Sequence, residues 1–319
     1  MKLRRRKIFI TILCICLLIF GGVLIAFPDR YLHACFEGIC LWGECVLPSL
    51  FPFMVITSLL IKLGAPQAAS KPFKKLSAKL NLPESAFPLF LMSVFSGYPA
   101  GSRILCEYKD CGLIDDTDIK KLAPLCSACG PLFALGTVGA RAFGGGTAGI
   151  KLWCACLISV VATSLIYCIF GKRKPVTAKK LRKTDRGNLL QSCFFGAVSA
   201  SLTAGAFICF FYTLSKVLAD FNIFKPVELL FLPLFGSEIS AGLASGLCEA
   251  TGGCFALANA GGFFALPLAG FTVTFGGASI LLQQLSYLSQ CGVKAGFFIG
   301  FKFLQGIICF AILCIFALF

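Results

Sequence analysis

Long apolar runs separated by short charged loops form the main pattern of this chain. Each run approaches or exceeds the ~20 residues that an α-helix needs to cross a ~30 Å hydrocarbon core. The most continuous runs cover residues 8–27, 39–63, 149–170, 188–218 and 295–319. The pattern predicts an all-α polytopic membrane protein.

Composition supports this interpretation. Hydrophobic residues make up 58% of the chain and charged residues only 13%, whereas a soluble domain has about 25% charged residues. The formal charge of +15 lies in loops beside apolar runs, where it orients a membrane chain. We therefore expect the lipid bilayer as a partner and no nucleic acid. The basic residues 2–7 place the N-terminus in the cytoplasm, ahead of a retained first helix.

Cysteine is abundant but gives no framework for a fold or a metal site. Most of the 19 cysteines lie inside apolar runs, where a thiol behaves as a small apolar side chain. Their odd number and scattered spacing argue against a disulfide framework. Cys126 and Cys129 have C-x-x-C spacing without a second pair, and His33 is the single histidine. With no catalytic constellation and no phosphate-binding loop, we expect neither an enzyme nor a bound cofactor or metal.

A chain break interrupts the apolar segment 85–106. The residues Ser96-Gly97-Tyr98-Pro99-Ala100-Gly101-Ser102-Arg103 contain two glycines and a proline, which cannot continue an ordinary helix. Irregular backbone survives at membrane depth only where protein or a water-filled cavity satisfies it. Charged loops on both sides predict a re-entrant hairpin that returns to the cytoplasm. A surface turn between two helices is the alternative.

The order of elements repeats in the second half of the chain. A first helix over residues 1–34 precedes a repeat over 35–170, a basic cytoplasmic linker over 171–187 and a second repeat over 188–319. Each repeat reads as a span, a broken hairpin, a broken span and a span. The hairpin break in the second repeat is predicted at residues 236–242, because 237–242 matches 96–101 at three of six positions. The pattern predicts inverted structural repeats with re-entrant hairpins and broken helices, as in many secondary transporters.

Few ionisable residues lie at membrane depth, where charge is costly and usually faces a cavity or a partner. Arg103 and Glu238 fall at the two predicted hairpin breaks, so we expect them in a site. The others are expected to snorkel to an interface or to lie at a span end; they are Glu44, Arg141, Glu249 and Lys302.

Small polar residues and glycines surround the four predicted breaks. Broken helices direct free N–H groups and partial positive charge at the gap, so the expected ligand is an anion. For any single serine, helix packing is the alternative explanation. The candidate substrate-binding residues are Ser96, Gly97, Tyr98, Pro99, Gly101, Arg103, Ser127, Gly130, Pro131, Ser237, Glu238, Ser240, Gly276, Gly277, Ser279 and Gln283.

Four segments resemble those of the sporulation integral membrane protein YlbJ (SpoVV) family. They are SGYPAGSR at 96–103, VLPSLFPF at 46–53, FGSEIS at 235–240, and FGGAS at 275–279 with Gln283. One departure is Cys129-Gly130-Pro131, where the family usually has Ser-Asn-Pro. An amide side chain is lost there, which puts an identical substrate in doubt.

The resemblance implies membership of the nucleoside-recognition Gate proteins, which are similar to concentrative nucleoside transporters. It also implies a place in the outer forespore membrane, and transport of dipicolinate from the mother cell toward the forespore during sporulation. Together with the breaks, it predicts a secondary transporter of a small organic anion. The alternatives are a nucleoside-type carrier and a non-transporting scaffold for spore-envelope assembly. The sequence leaves open whether the chain forms a homo-oligomer.

Overall fold

The computed structural model describes residues 2–170 and 188–318, and within these residues every regular element is helical. Five of the described helices are long and apolar enough to cross a membrane, and one bent pair makes a sixth candidate. The prediction of an all-α polytopic membrane protein is confirmed. The predicted basic linker, 171–187, lies outside the described residues.

The helices follow the chain in two series. The first series comprises α1 (Lys2–Ala26), α2 (Pro28–Leu41), a π-helical turn (Trp42–Val46), α3 (Leu47–Leu63), α4 (Ala65–Ser70), a 3₁₀ turn (Lys71–Phe73), α5 (Lys74–Lys79), α6 (Ala86–Ser96), α7 (Ala100–Asp110), α8 (Asp116–Leu125), a π-helical segment (Phe133–Ala142) and α9 (Ala148–Phe170). The second comprises α10 (Leu189–Asp220), α11 (Lys225–Phe235), α12 (Ser237–Cys248), α13 (Ala250–Ala260), α14 (Ala265–Phe275), α15 (Gly277–Leu288) and α16 (Ala295–Phe316).

The second span is kinked, as its prolines predict. It runs from α2 through the π-helical turn into α3 and bends by 53°; Pro52 lies inside α3, and proline and π-helical turns are the usual causes of kinks. Residues Pro28–Leu41 form helix α2, and Pro28 occupies its first turn, where proline is well tolerated.

Helices α6 and α7 fold back on each other as hairpin 1. A Cβ added to Gly101 would lie 3.0 Å from the Ser93 Cβ, and the Tyr108 hydroxyl lies 3.4 Å from the Met92 sulfur. Each pair joins a residue of α6, before the break, to a residue of α7, after it. The two helices are therefore antiparallel. The tip is buried, with Tyr98 only 7% exposed. The predicted hairpin is confirmed, and the alternative of a surface turn is wrong.

Helices α12 and α13 form hairpin 2, whose tip is Glu249. A Cβ added to Gly253 would lie 2.2 Å from the Gly246 Cα, and one added to Gly242 would lie 3.1 Å from the Leu257 backbone nitrogen. Both pairs are centred on residues 249–250, which requires an antiparallel turn there. The structure therefore corrects the prediction that the second tip lies at 236–242. Gly236 only separates α11 from α12, and it is exposed.

Each hairpin tip packs against the break of a spanning helix. Broken span 1 is α8 with the helix that starts at Pro131, and broken span 2 is α14 with α15. A Cβ added to Gly97 would lie 2.5 Å from the Gly130 nitrogen, and one added to Gly277 would lie 2.6 Å from the Gly246 carbonyl oxygen. Only glycine allows backbones to approach this closely. The predicted breaks at 130–131 and 276–277 are confirmed.

The described part of the chain thus has the same order of elements twice: α3, hairpin 1, broken span 1 and α9, then α10, hairpin 2, broken span 2 and α16. The opposite membrane orientation of the two series stays a prediction, as do the domain boundaries given above.

The contact between α7 and the end of α15 predicts a specific cross-link. The sulfurs of Cys106 and Cys291 lie 2.6 Å apart, although the residues are separated by 185 positions. We expect diamide to oxidise the two thiols to an intramolecular disulfide, seen as a linked Cys106–Cys291 peptide by mass spectrometry. Cys291→Ser should abolish that peptide. Cross-linking of Cys106 mainly to another cysteine would contradict this packing.

Candidate functional site

A small cavity of about 30 Å³, partly open at its rim where Phe95 and Leu132 are exposed, lies between the two hairpin tips and the two broken spans. This volume admits one or two water molecules but no organic acid, so the tips must separate before a substrate can enter. The lining residues are Val46, Leu50, Phe95, Ser96, Tyr98, Pro99, Gly130, Leu132, Phe133, Ile208, Glu249, Thr251, Ile280 and Gln283.

Four helices begin at this cavity. Pro99 precedes α7, Gly130 precedes the helix that starts at Pro131, Glu249 precedes α13, and Ile280 lies in the first turn of α15. The first N–H groups of a helix have no partner within it, and the helix dipole places partial positive charge there. Helix N-termini from both halves of the protein therefore bring partial positive charge to the cavity, while Phe95 and Ser96, the last residues of α6, bring the partial negative charge of a helix C-terminus.

Hairpin 1 contributes a buried aromatic ring and an unsatisfied hydroxyl. The Tyr98 hydroxyl donates to the Val273 carbonyl at 3.1 Å, which joins the hairpin to broken span 2. Its ring packs edge-on against Phe133. The Ser96 hydroxyl is buried and has no hydrogen-bond partner among the described residues. Because burial without a partner is costly, this hydroxyl suits a water or a polar ligand.

Hairpin 2 contributes a buried carboxylate. Glu249 is 1% exposed. Its Oε1 accepts from the Thr251 N–H at 3.0 Å and its Oε2 from the Gly252 N–H at 2.6 Å, so it caps α13. The expectation that Glu249 lies near a span end is wrong. An acid directly before Ala-Thr-Gly-Gly in an apolar run is the signal that could have identified a hairpin tip.

A buried lysine lies behind Tyr98. Lys302 is 0% exposed, and its Nζ donates to the Ser127 carbonyl at 2.8 Å and lies 5.9 Å from the centre of the Tyr98 ring. The expectation that it snorkels is wrong. The carbonyls that follow α8 carry partial negative charge, and the ammonium group neutralises them from the middle of α16.

Gln305 supports the same break one turn further along α16. Its amide nitrogen donates to the Pro124 carbonyl at 3.1 Å and to the Thr163 hydroxyl at 3.2 Å. Two polar residues three positions apart in an otherwise apolar helix lie on one face. This spacing was the available signal for a buried polar face on α16.

The two charges favoured from the sequence do not reach the cavity. Arg103 donates to Glu107 at 2.7 Å and to Ser58 at 2.9 Å, so it ties α7 to α3. Glu238 is exposed on the first turn of α12. The structure places Arg103 as an anchor of hairpin 1 and removes Glu238 from the candidate site.

The other predicted residues divide into two groups. Ser96, Tyr98, Pro99, Gly130 and Gln283 line the cavity; Gly97 touches Gly130 beside it, and the Gln283 amide donates to the Ser279 hydroxyl at 3.2 Å. Gly97 and Ser279 thus lie beside the cavity without lining it. The remaining predicted residues that do not line it, besides Arg103 and Glu238, are Gly101, Ser127, Pro131, Ser237, Ser240, Gly276 and Gly277. Thr251 was missed together with Glu249.

Glu44 and Arg141, which the sequence predicts at an interface or a span end, form an exposed pair. Glu44 and Arg141 lie 3.4 Å apart, with side chains 67% and 50% exposed. They are consistent with a surface ion pair rather than with a site.

One comparison with known proteins finds a relative. The sporulation integral membrane protein YlbJ of Bacillus subtilis (strain 168) is 23% identical to this chain over 317 residues, covering 90% of this chain and 77% of that protein. No family model matches the chain, and no solved structure matches it. The resemblance to the YlbJ family that the motifs predict is confirmed; the relation to nucleoside-recognition proteins stays a prediction.

The crossing of Gly97 and Gly130 predicts a sharp sensitivity to substitution. Gly97 (φ 68°, ψ −176°) and Gly236 (φ 82°, ψ 172°) share a backbone region that costs other residues about 1–3 kcal/mol. Only at Gly97 would a Cβ also clash with backbone, since nothing lies within 4 Å at Gly236. We expect Gly97→Ala to lower the free energy of unfolding by about 1–3 kcal/mol more than Gly236→Ala does. The measurement is the fall in Tm in detergent, which should be larger for Gly97→Ala. Equal losses would contradict the crossing.

Proposed function

We propose that this chain is a secondary transporter of a small organic anion, with dipicolinate as its substrate, acting during sporulation to carry it from the mother cell toward the forespore. The observation that carries the proposal is the convergence of four helix N-termini on one cavity between two hairpins. Helix N-termini favour anions, and broken helices at membrane depth are the usual place for a transported substrate.

The closed cavity fits a cycle of alternating access. The contacts that join the tips to the broken spans include glycine backbones that cross at Gly97 and Gly277, and the hydrogen bond from Tyr98 to Val273. Separation of either tip from its broken span would enlarge the cavity and open it to one side. A dicarboxylate could then meet N–H groups of helices from both halves at once.

The relative supports the biological setting. Its name places it in sporulation and in a membrane, and the described residues of this chain contain five or six candidate spans. We extend the setting to this chain, with the outer forespore membrane as its location, the N-terminus in the cytoplasm and transport rather than catalysis as its activity.

A nucleoside-type carrier is the second candidate, because of the side chains in the cavity. Its hydrogen-bonding groups include Ser96, Thr251 and Gln283, its one carboxylate is Glu249, and no lysine, arginine or histidine is among its lining residues. A neutral solute rich in donors and acceptors suits such a lining. A membrane scaffold is less well supported, because packing alone gives no reason for a cavity between the two hairpin tips that contains Ser96, Glu249 and Gln283.

Removal of the unsatisfied hydroxyl tests the site in a substrate-resolved assay. We expect wild-type protein in proteoliposomes to take up labelled dipicolinate, and Ser96→Ala to raise its KM roughly tenfold, because a hydrogen bond to a charged group contributes about 1.5–3 kcal/mol. Ser93→Ala is the matched control. Ser93 lies one turn earlier on α6, donates to the Phe90 carbonyl at 2.8 Å and does not line the cavity.

Three results of this assay would be decisive. No dipicolinate uptake by the wild-type protein would overturn the proposed substrate, and inhibition of uptake by uridine would favour the nucleoside carrier. Equal KM values for Ser96→Ala and Ser93→Ala would remove Ser96 from the site.

A further inference from the structure

The cavity contains a charge that conflicts with an anionic substrate. Glu249 is the one carboxylate among the lining residues, which include no cationic side chain to balance it. Its two hydrogen bonds come from the N–H groups of Thr251 and Gly252, so the partial positive charge of α13 already stabilises this carboxylate. Because Glu249 is only 1% exposed, little water screens it, and a second carboxylate brought into the cavity would repel its ionised form strongly.

The titratable groups around Glu249 do not relieve this conflict. Those that act on it electrostatically are Tyr98 of hairpin 1, Tyr212 of α10, and Cys248 and Cys254 of hairpin 2. All four are neutral in their ordinary protonated forms.

The cationic side chain beside Tyr212, which belongs to Lys216, already interacts with other side chains. Lys216 lies 5.4 Å from the centre of the Tyr212 ring and 3.8 Å from Glu37, which also accepts from the Tyr212 hydroxyl at 3.1 Å. Behind the Tyr98 ring, Lys302 donates to Ser127. Neither ammonium group lines the cavity, so the charge of Glu249 must be neutralised in another way when an anion arrives.

We infer that the cavity binds its organic anion together with a proton, and that Glu249 is the residue that takes up this proton. The inference rests on the proposed function, since it concerns the same cavity and the same class of substrate. Protonation removes the repulsion between the two carboxylates and turns Glu249 into a hydrogen-bond donor. Anion and proton then favour each other's binding, as linkage between two sites requires.

This coupling has a definite sign. Binding of the anion favours the protonated form of Glu249, so each bound anion draws a proton from solution. Affinity therefore rises as pH falls, by up to about tenfold per pH unit when one proton is linked. During transport the proton moves in the same direction as the anion, so a proton gradient drives accumulation on the alkaline side.

Calorimetry of dipicolinate binding to the full-length protein in lipid nanodiscs tests the inference. Titrations in two buffers of different ionisation enthalpy, between about pH 6 and pH 8, measure proton uptake while carboxylates in solution stay ionised. We expect roughly one proton per bound dipicolinate for the wild-type protein. Glu249→Gln should bind dipicolinate with an affinity that does not change with pH and should take up no proton. Glu238→Gln is the matched control, because Glu238 is exposed, and it should behave as the wild type.

The outcomes separate this inference from the proposed function. Dipicolinate binding without proton uptake by the wild type would overturn the inference alone, as would binding that requires sodium in place of a proton. Proton uptake retained in Glu249→Gln would assign the proton to another group and would also overturn it. Absence of any dipicolinate binding by the wild type would overturn the proposed substrate and the inference with it. If Glu249→Gln fails to fold, absence of proton uptake by the wild type still overturns the inference.

Discussion

The structure depends on one constraint: backbone groups at a helix break must find partners inside a membrane, where lipid offers none. The breaks in this protein meet this constraint by packing on one another. Gly97 crosses Gly130, and Gly277 meets the carbonyl of Gly246. Because each crossing joins a hairpin tip to a broken span, the breaks of the two hairpins and the two broken spans lie together beside the cavity.

Among the described residues, the two ionisable side chains that are almost completely buried, Glu249 and Lys302, follow from the same constraint. Glu249 caps the free N–H groups at the start of α13, and Lys302 donates to a free carbonyl beyond the end of α8. Each charge thus lies at the helix end of opposite partial charge. Tyr98 stands between them, with its ring near Lys302 and its edge at the cavity that Glu249 lines. A movement of hairpin 1 would change the surroundings of both charges together.

The sequence predicts the spanning helices well, because a run of about 20 apolar residues is the length that an α-helix needs to cross the hydrocarbon core. It also predicts hairpin 1, since Gly97 and Pro99 cannot continue a helix. Hairpin 2 was placed wrongly because Glu249 breaks the helix without a proline or a flanking glycine, whereas the conspicuous Gly236 only separates two short helices. The spacing of Lys302 and Gln305 indicates a polar face on α16, but hydropathy does not reveal that this face meets α8. Arg103 does not line the cavity, because Glu107, one turn further along α7, neutralises it.

The central claim is that the space between the hairpin tips is the substrate site. A cryo-electron microscopy structure of the protein with dipicolinate, in lipid nanodiscs, tests it most directly. The account predicts ligand density between Tyr98, Glu249 and Gln283, in a cavity larger than the present 30 Å³ because a hairpin tip has moved away from its broken span. Ligand density elsewhere, with Gly97 still in contact with Gly130 and the cavity unchanged, would contradict it.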